Sequence, residues 1–165
     1  MAFWSKKKAD KLQSLEVLAP LSGKAVSLSE VPDPAFAEKL MGEGIAIVPS
    51  EGRVLAPFDG VIAHLPKSKH AVMLEHETGA QVLIHVGVDT VSMKGEGFDV
   101  RVSTGDRVKA GQLLIEFDMQ KIEQAGYPSI TSIIAPNGVE AVTGVQEHEG
   151  GVTAGRESVL TLQLS

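Results

Sequence analysis

Val17-Leu18-Ala19-Pro20-Leu21-Ser22-Gly23 returns 37 positions later as Val54-Leu55-Ala56-Pro57-Phe58-Asp59-Gly60, and Ile134-Ala135-Pro136-Asn137-Gly138 is a shortened third copy. In each stretch apolar residues run into a proline, which fixes φ and cannot donate to a ladder. A glycine follows, supplying the positive φ that a reversal needs. Each copy therefore reads as strand, turn, strand, with a new strand opening at the glycine. A second pair, Val108-Lys109-Ala110-Gly111 ahead of Leu113-Leu114-Ile115 and Val152-Thr153-Ala154-Gly155 ahead of Val159-Leu160-Thr161-Leu162, indicates that similar hairpins occur twice. The spacing is too irregular for a solenoid.

Composition agrees with this reading. The chain holds 19 Val and 9 Ile beside 17 Gly and 8 Pro, a mixture that favours short β-branched strands between tight turns, so the expected class is all-β. Val82-Leu83-Ile84-His85-Val86-Gly87-Val88 is apolar almost throughout, as in a strand covered on both sides. Leu160, Leu162 and Leu164 alternate with Val159, Thr161 and Gln163, as in a half-exposed one. Two short peripheral helices are expected: one opened by Asp33-Pro34 and ending at Gly42, the other capped by Asp118 and ending at Gly126.

With 165 residues, 43% hydrophobic and 22% charged, the chain has the length and balance of one globular domain. A net charge of -6 and 4% aromatic residues repel phosphate backbones and leave few stacking platforms, which argues against nucleic acid as a partner. Absence of cysteine removes disulfide and thiolate chemistry. No apolar run reaches the roughly 20 residues of a membrane span, and a cytoplasmic location is the default expectation. Residues 1–16 read as a flexible basic segment in which Lys6, Lys7, Lys8 and Lys11 surround Phe3, Trp4, Leu12 and Leu15. It is either a solvated tail or a narrow amphipathic helix capable of weak peripheral membrane contact. Residues 17–165 form the folded domain.

Among the five histidines, His85 stands out by context. An imidazole inside a run of Val, Leu and Ile needs a cleft or a partner, and burial keeps it neutral, as nucleophilic attack requires. A satisfied structural histidine is the competing reading. Folding residues 70–75 against 80–85 about Glu77-Thr78-Gly79 brings His70 opposite or nearly opposite His85. Spacing alone leaves zinc ligands, a nucleophile with an electrostatic helper, and a coincidental pair all open. His76 and His148 lie in polar surroundings and His64 falls on a half-exposed strand, and all three read as solvent-facing.

Gly79-Ala80-Gln81-Val82-Leu83-Ile84-His85-Val86-Gly87-Val88-Asp89-Thr90-Val91 resembles the active-site signature of the glucose-type enzyme IIA components of the bacterial sugar phosphotransferase system. Val31-Pro32-Asp33, Phe36-Ala37-Glu38-Lys39, Gly42 to Ile47, Lys69-His70-Ala71 and Lys94-Gly95-Glu96-Gly97-Phe98 also resemble that family, in order, within a resemblance running from about Leu18 to Leu164. It implies an antiparallel β-sandwich with a shallow apolar depression that holds both histidines. It further implies a phosphocarrier whose His85 accepts a phosphoryl group on Nε2 from the histidine-containing phosphocarrier protein. The group then passes to a cysteine of the IIB domain of a membrane sugar permease, and regulatory proteins are further implied partners.

By the same resemblance, the Gly87 carbonyl holds the Nδ1 proton of His85, His70 stabilises the transferring phosphoryl group, and Ser68 orients His70. Ser68 stands where the family usually has Thr and keeps the hydroxyl, whereas Leu83 and Pro66 stand where Phe is common. Asp33 and Asp89 match acidic residues bordering the docking surface, although Asp33 also reads as a helix cap and Asp89 as a turn residue. Phe36, Met41, Ile45, Ile47, Leu83 and Val86 are candidates for its apolar rim, in competition with core packing. No cofactor is required. Zinc at His70 and His85 needs a carboxylate from another protein, since two ligands close no site. The alternative is a biotinyl- or lipoyl-like swinging arm on Lys94, although its neighbours Ser92-Met93 and Gly95-Glu96-Gly97 differ from the usual flanks. The His-x-His and His-x-x-x-Asp pairs of a zinc peptidase of similar fold are missing.

Overall fold

The computed structural model describes residues 12–165, so the amphipathic reading of the N-terminal lysines lies outside the described residues. Fourteen strands are found among them: β1 (Ser14–Leu18), β2 (Gly23–Val26), β3 (Gly42–Pro49), β4 (Arg53–Leu55), β5 (Gly60–His64), β6 (Ala71–Glu75), β7 (Gln81–His85), β8 (Phe98–Val100), β9 (Arg107–Val108), β10 (Leu113–Phe117), β11 (Thr131–Pro136), β12 (Val142–Glu147), β13 (Gly150–Val152) and β14 (Ser158–Leu164). Two short helices, α1 (Pro34–Ala37) and α2 (Met119–Gln124), and 3-10 turns at Leu28–Glu30 and Thr90–Met93 complete the fold. Pairing is antiparallel in an eight-stranded sheet ordered β13-β2-β3-β11-β7-β6-β5-β9 and in two three-stranded sheets, β1-β14-β12 and β4-β10-β8. The class is all-β, as the sequence implies.

The repeat is structural, and it does more than turn the chain. Its first two copies carry the chain from a three-stranded sheet into the large one, β1 to β2 and β4 to β5. They also bond to each other: Leu18 N–H donates to the Pro57 carbonyl at 3.1 Å and Leu55 N–H to that of Pro20 at 2.8 Å. The second pair of repeats docks on these corners in matching fashion. Gly155 N–H donates to Ala19 O and Gly111 N–H to Ala56 O, while Ala154 N–H donates to Ser22 Oγ at 2.9 Å and Ala110 N–H to Asp59 Oδ1 at 2.8 Å. The large sheet accordingly reads β13-β2-β3 at one end and β9-β5-β6 at the other, two halves flanking β11 and β7. The third copy departs from expectation. No strand opens at Gly138; β11 runs through Pro136 and residues 137–141 carry the chain to β12 in another sheet.

The main core lies between the sheets, with Ile45, Ile47, Ile62, Val72, Leu74, Ile84, Leu114, Ile133 and Leu162 all at 0% exposure. Val159 joins it, against simple alternation, because the β1 register steps from Leu18↔Ser158 to Val17↔Leu160 and skips Val159, a bulge that turns its side chain inward. β1 also corrects the domain boundary: residues 14–16 pair with β14, so the folded unit begins before residue 17.

Asp33 caps α1 through Ala35 N–H at 3.0 Å, with Pro34 at the first helical position. That helix ends at Ala37 and not at Gly42, since Lys39 adopts φ 60° and swings the chain back toward β3. Asp118 caps α2 through Lys121 N–H, and Gly126 (φ 88°) follows its end.

Candidate functional site

β7 is central, so its two faces meet different surroundings. Val82 and Ile84 enter the main core, whereas Leu83 and His85 face a second cluster formed by Leu28, Val31, Phe36, Ala46, Val88 and Ile134. α1, the 3-10 turn beside it and the loop residues Val88 and Ile130 cover that second face, and His85 at the strand end is half-buried. The expectation of a strand covered equally on both sides is corrected to this extent.

The direct partners of His85 in the sheet are Ala71 on β6 and Ser132 on β11. His70 stands one residue ahead of β6, and a continuous strand would send its side chain to the opposite face. Lys69 just before it adopts φ 62°. The His70 ring nevertheless reaches the His85 ring, with centroids 4.7 Å apart and planes at 80°. Phe36 closes the other side of His85 at 4.9 Å.

His85 Nδ1 lies 2.9 Å from the Gly87 carbonyl. A carbonyl only accepts, so in the neutral ring Nδ1 carries the proton and Nε2 holds a lone pair. Burial pushes the His85 pKa below its ordinary value, opposed by the Gly87 bond and by the carboxylates of Asp33 and Asp89. His70 is pushed down to about 4, by burial first and by the neighbouring His85 second. Both rings are therefore neutral near pH 7. Ser68 Oγ meets His70 Nδ1 at 2.7 Å. When that hydroxyl donates, the His70 proton resides on Nε2.

His76, at the far end of the β6–β7 hairpin, provides a control within the same molecule. It is half-buried, sits edge-on to Phe58 at 5.5 Å, and has a pKa lowered by burial. Yet Thr78 N–H donates to its Nδ1 at 3.2 Å, so the neutral ring carries its proton on Nε2. Two imidazoles on one hairpin thus hold opposite tautomers because one faces a carbonyl and the other an amide. His76 and His148 are not the solvent-facing residues expected: His148 is half-buried and meets Thr161 Oγ1 at 2.7 Å.

Of the expected rim, Phe36 and Leu83 lie in the second cluster and Met41 is 41% exposed. Ile45, Ile47 and Val86 do not belong to it. All three are completely buried in the main core. The reason is strand parity: with Ile45 opposite Ile133 and Ile47 opposite Thr131, β3 presents Gly44, Ala46 and Val48 to the other face. Val48, Leu40 and Val91 are exposed apolar residues that the sequence reading missed. Asp33 caps α1 and also acts on His85; Asp89, exposed at φ 62°, does the same from the other side. Among the described residues no three His, Asp or Glu side chains gather as a metal set, so a zinc ion on the two imidazoles would draw further ligands from another protein. Lys94 ends the 3-10 turn at φ 55°, between β7 and β8 of different sheets. It is not the tip of a strand hairpin, and the swinging-arm alternative loses its structural basis.

A family model described as "phosphoenolpyruvate-dependent sugar phosphotransferase system, EIIA 1" matches residues 15–141. The chain belongs to this family. A glucose-specific EIIA component of Oceanobacillus iheyensis is 44% identical over 150 residues, covering 90% of each chain. The glucosamine-specific EIICBA component of Bacillus subtilis is 49% identical over 118 residues, 72% of this chain and 19% of that longer protein. Among solved structures, the glucose permease IIA from Mycoplasma capricolum superposes with a TM-score of 0.79 at 32% identity, covering 90% of this chain and 95% of the other. As a member of the EIIA family, the chain is a phosphotransferase-system component, and the cluster of His70, His85 and Phe36 lies within the matched residues. No helix among the described residues is long and apolar enough to cross a membrane.

Proposed function

We propose that this EIIA chain is a cytoplasmic phosphoryl carrier in which His85 Nε2 accepts a phosphoryl group from the histidine-containing phosphocarrier protein and gives it to a cysteine thiolate of a IIB domain. The observation that carries this reading is the His85 Nδ1–Gly87 carbonyl bond of 2.9 Å, which leaves Nε2 as a lone pair beside His70.

On acceptance, the donor's P–N bond breaks as the P–Nε2 bond forms. Nδ1 keeps its proton, so the phosphorylated ring is cationic. The Gly87 carbonyl and the carboxylates of Asp33 and Asp89, which already favour a charged ring, stabilise that form. On donation, Nε2–P breaks, S–P forms and the ring returns to neutral. Charge spreads over three phosphoryl oxygens in the loose transition state. His70, with its Nδ1 satisfied by the Ser68 hydroxyl, offers Nε2–H to one of them.

Phe36, Leu83, Met41, Leu40, Val48 and Val91 form the apolar docking surface, bordered by Asp33 and Asp89. The stand-alone relative is named for glucose, and the Bacillus subtilis relative carries its EIIA part in one chain with B and C parts for glucosamine. We therefore assign a IIB domain serving glucose or a close analogue as the acceptor. The test is incubation with phosphoenolpyruvate, enzyme I and the phosphocarrier. Acid-labile label should appear on the wild-type chain and be absent from His85→Ala; full labelling of that variant would overturn the assignment.

A further inference from the structure

The proton arrangement of His85 depends on where the Gly87 carbonyl sits, and the sheet does not hold that carbonyl, because β7 ends at His85. Beyond it the chain turns through Gly87 (φ 73°) and Asp89 (φ 62°) into the 3-10 turn that begins with Thr90. Thr90 is completely buried although it is polar. Its hydroxyl donates to the Val86 carbonyl at 2.5 Å, and the Val86 N–H donates to the His70 carbonyl at 2.8 Å. Val86 is therefore held at both its backbone groups, its carbonyl by the Thr90 hydroxyl and its N–H by the His70 carbonyl. The threonine methyl packs beneath the next residue: a Cβ at Gly87 would lie 2.6 Å from Thr90 Cγ2 and 2.8 Å from the Pro128 carbonyl. Pro128 O also accepts from Val88 N–H at 3.1 Å. The segment 86–88 is thus clamped from two sides, by Thr90 through its hydroxyl and methyl and by the Pro128 carbonyl.

We propose that Thr90 is a positioning residue for phosphoryl transfer: by fixing the Val86–Gly87 backbone it keeps the proton of neutral His85 on Nδ1 and the two imidazoles in register. The transfer part of this rests on the carrier function proposed above; the proton placement does not. Thr90→Val keeps the shape and removes the hydroxyl, leaving a buried carbonyl unpaired and free to shift. Thr90→Ser keeps the hydroxyl and removes the methyl.

The test uses the full chain labelled with 15N-histidine, reading the ring nitrogens of His85 near pH 7 without any phosphoryl donor, then the acceptance rate from the phosphocarrier. Wild type should show a protonated Nδ1 and an unprotonated Nε2. Thr90→Val should show mixed tautomers and acceptance slowed about 10²-fold, the scale of an ångström-level misplacement. Thr90→Ser should retain the wild-type nitrogen pattern. The proposal is overturned by wild-type nitrogens in Thr90→Val, even if that variant is slow or less stable, because the side chain would then be merely structural. It is equally overturned if Thr90→Ser loses the Nδ1 proton, a readout that decides the matter should the valine variant fail to fold. A wild-type chain that accepts no label would sink the carrier reading, while the nitrogen spectra would still judge Thr90.

Discussion

Residues 27–41, between β2 and β3, and residues 65–70, between β5 and β6, occupy equivalent places in the two repeated halves, yet they differ in length and content. The first holds a 3-10 turn and α1 and delivers Asp33 and Phe36; the second is a short turn that delivers Ser68 and His70. Both converge on His85, with Phe36 4.9 Å from it and His70 4.7 Å. By contrast, the corners where the halves agree, Ala19–Gly23 and Ala56–Gly60, carry matched hydrogen bonds and none of the site residues. Scaffold and site therefore separate along the repeat: what is duplicated holds the sheets together, and what is not duplicated gathers the side chains around His85.

His85→Ala should break this division most completely, reducing phosphoryl acceptance to background while leaving the duplicated corners and the fold intact, as acid-labile labelling beside a urea melt would show. Phe36→Ala removes a buried ring from the first connection. It should cost about 3 kcal/mol of stability in denaturant unfolding. It should also raise the His85 pKa toward its ordinary value in an NMR titration, because desolvation is the leading cause of the depression. The counterpart in the second connection, His70→Gln, should slow phosphoryl transfer roughly 10²-fold, the scale of losing one transition-state donor, while label still accumulates on His85 at long times. Unchanged rates in both half-reactions would contradict the role given to His70.

Acid sensitivity sharpens the contrast further. His70 falls from 6.5 to about 4 on folding, so between those values the unfolded chain binds more protons than the folded one and stability rises with pH. The contribution is complete above pH 6.5 and disappears as pH falls toward 4. The urea midpoint should fall with acid in the wild type and fall less steeply in His70→Gln, the residual slope coming from His85 and His76, which burial lowers as well. Smallest of all, Ser22→Ala and Asp59→Ala each remove one of the matched corner bonds and should cost similar amounts, about 1 kcal/mol, with unchanged transfer rates.

Much of this plan was legible before any coordinates. Pro-x-x-Gly corners repeat because sheet-switching turns need the same φ constraints each time, and a histidine in an apolar strand announces an environment that must account for it. Parity was not legible in the same way. Ile45 and Ile47 read as rim candidates, yet β3 turns both into the core and presents Ala46 and Val48 instead. Local sequence in Gly42–Pro49 does not say which alternate set faces the site, because Gly42, Gly44, Ala46 and Val48 are small or apolar while the other set mixes apolar Ile45 and Ile47 with charged Glu43. His70 differs: folding the β6–β7 hairpin sets it opposite or nearly opposite His85, and the two rings meet at 4.7 Å.

By itself the sequence determined the all-β class, the first two repeated corners and both helix caps, which follow from local φ preferences and residue chemistry, while the two facing histidines followed from hairpin geometry together with the family resemblance. Only the tertiary structure decided which strand faces line the site, where the second connection turns, and which nitrogen of His85 bears the proton. Those depend on register and on which backbone group faces each ring. His85 and His76 show the reason: the same side chain on one hairpin holds opposite tautomers, because a carbonyl meets one and an amide meets the other.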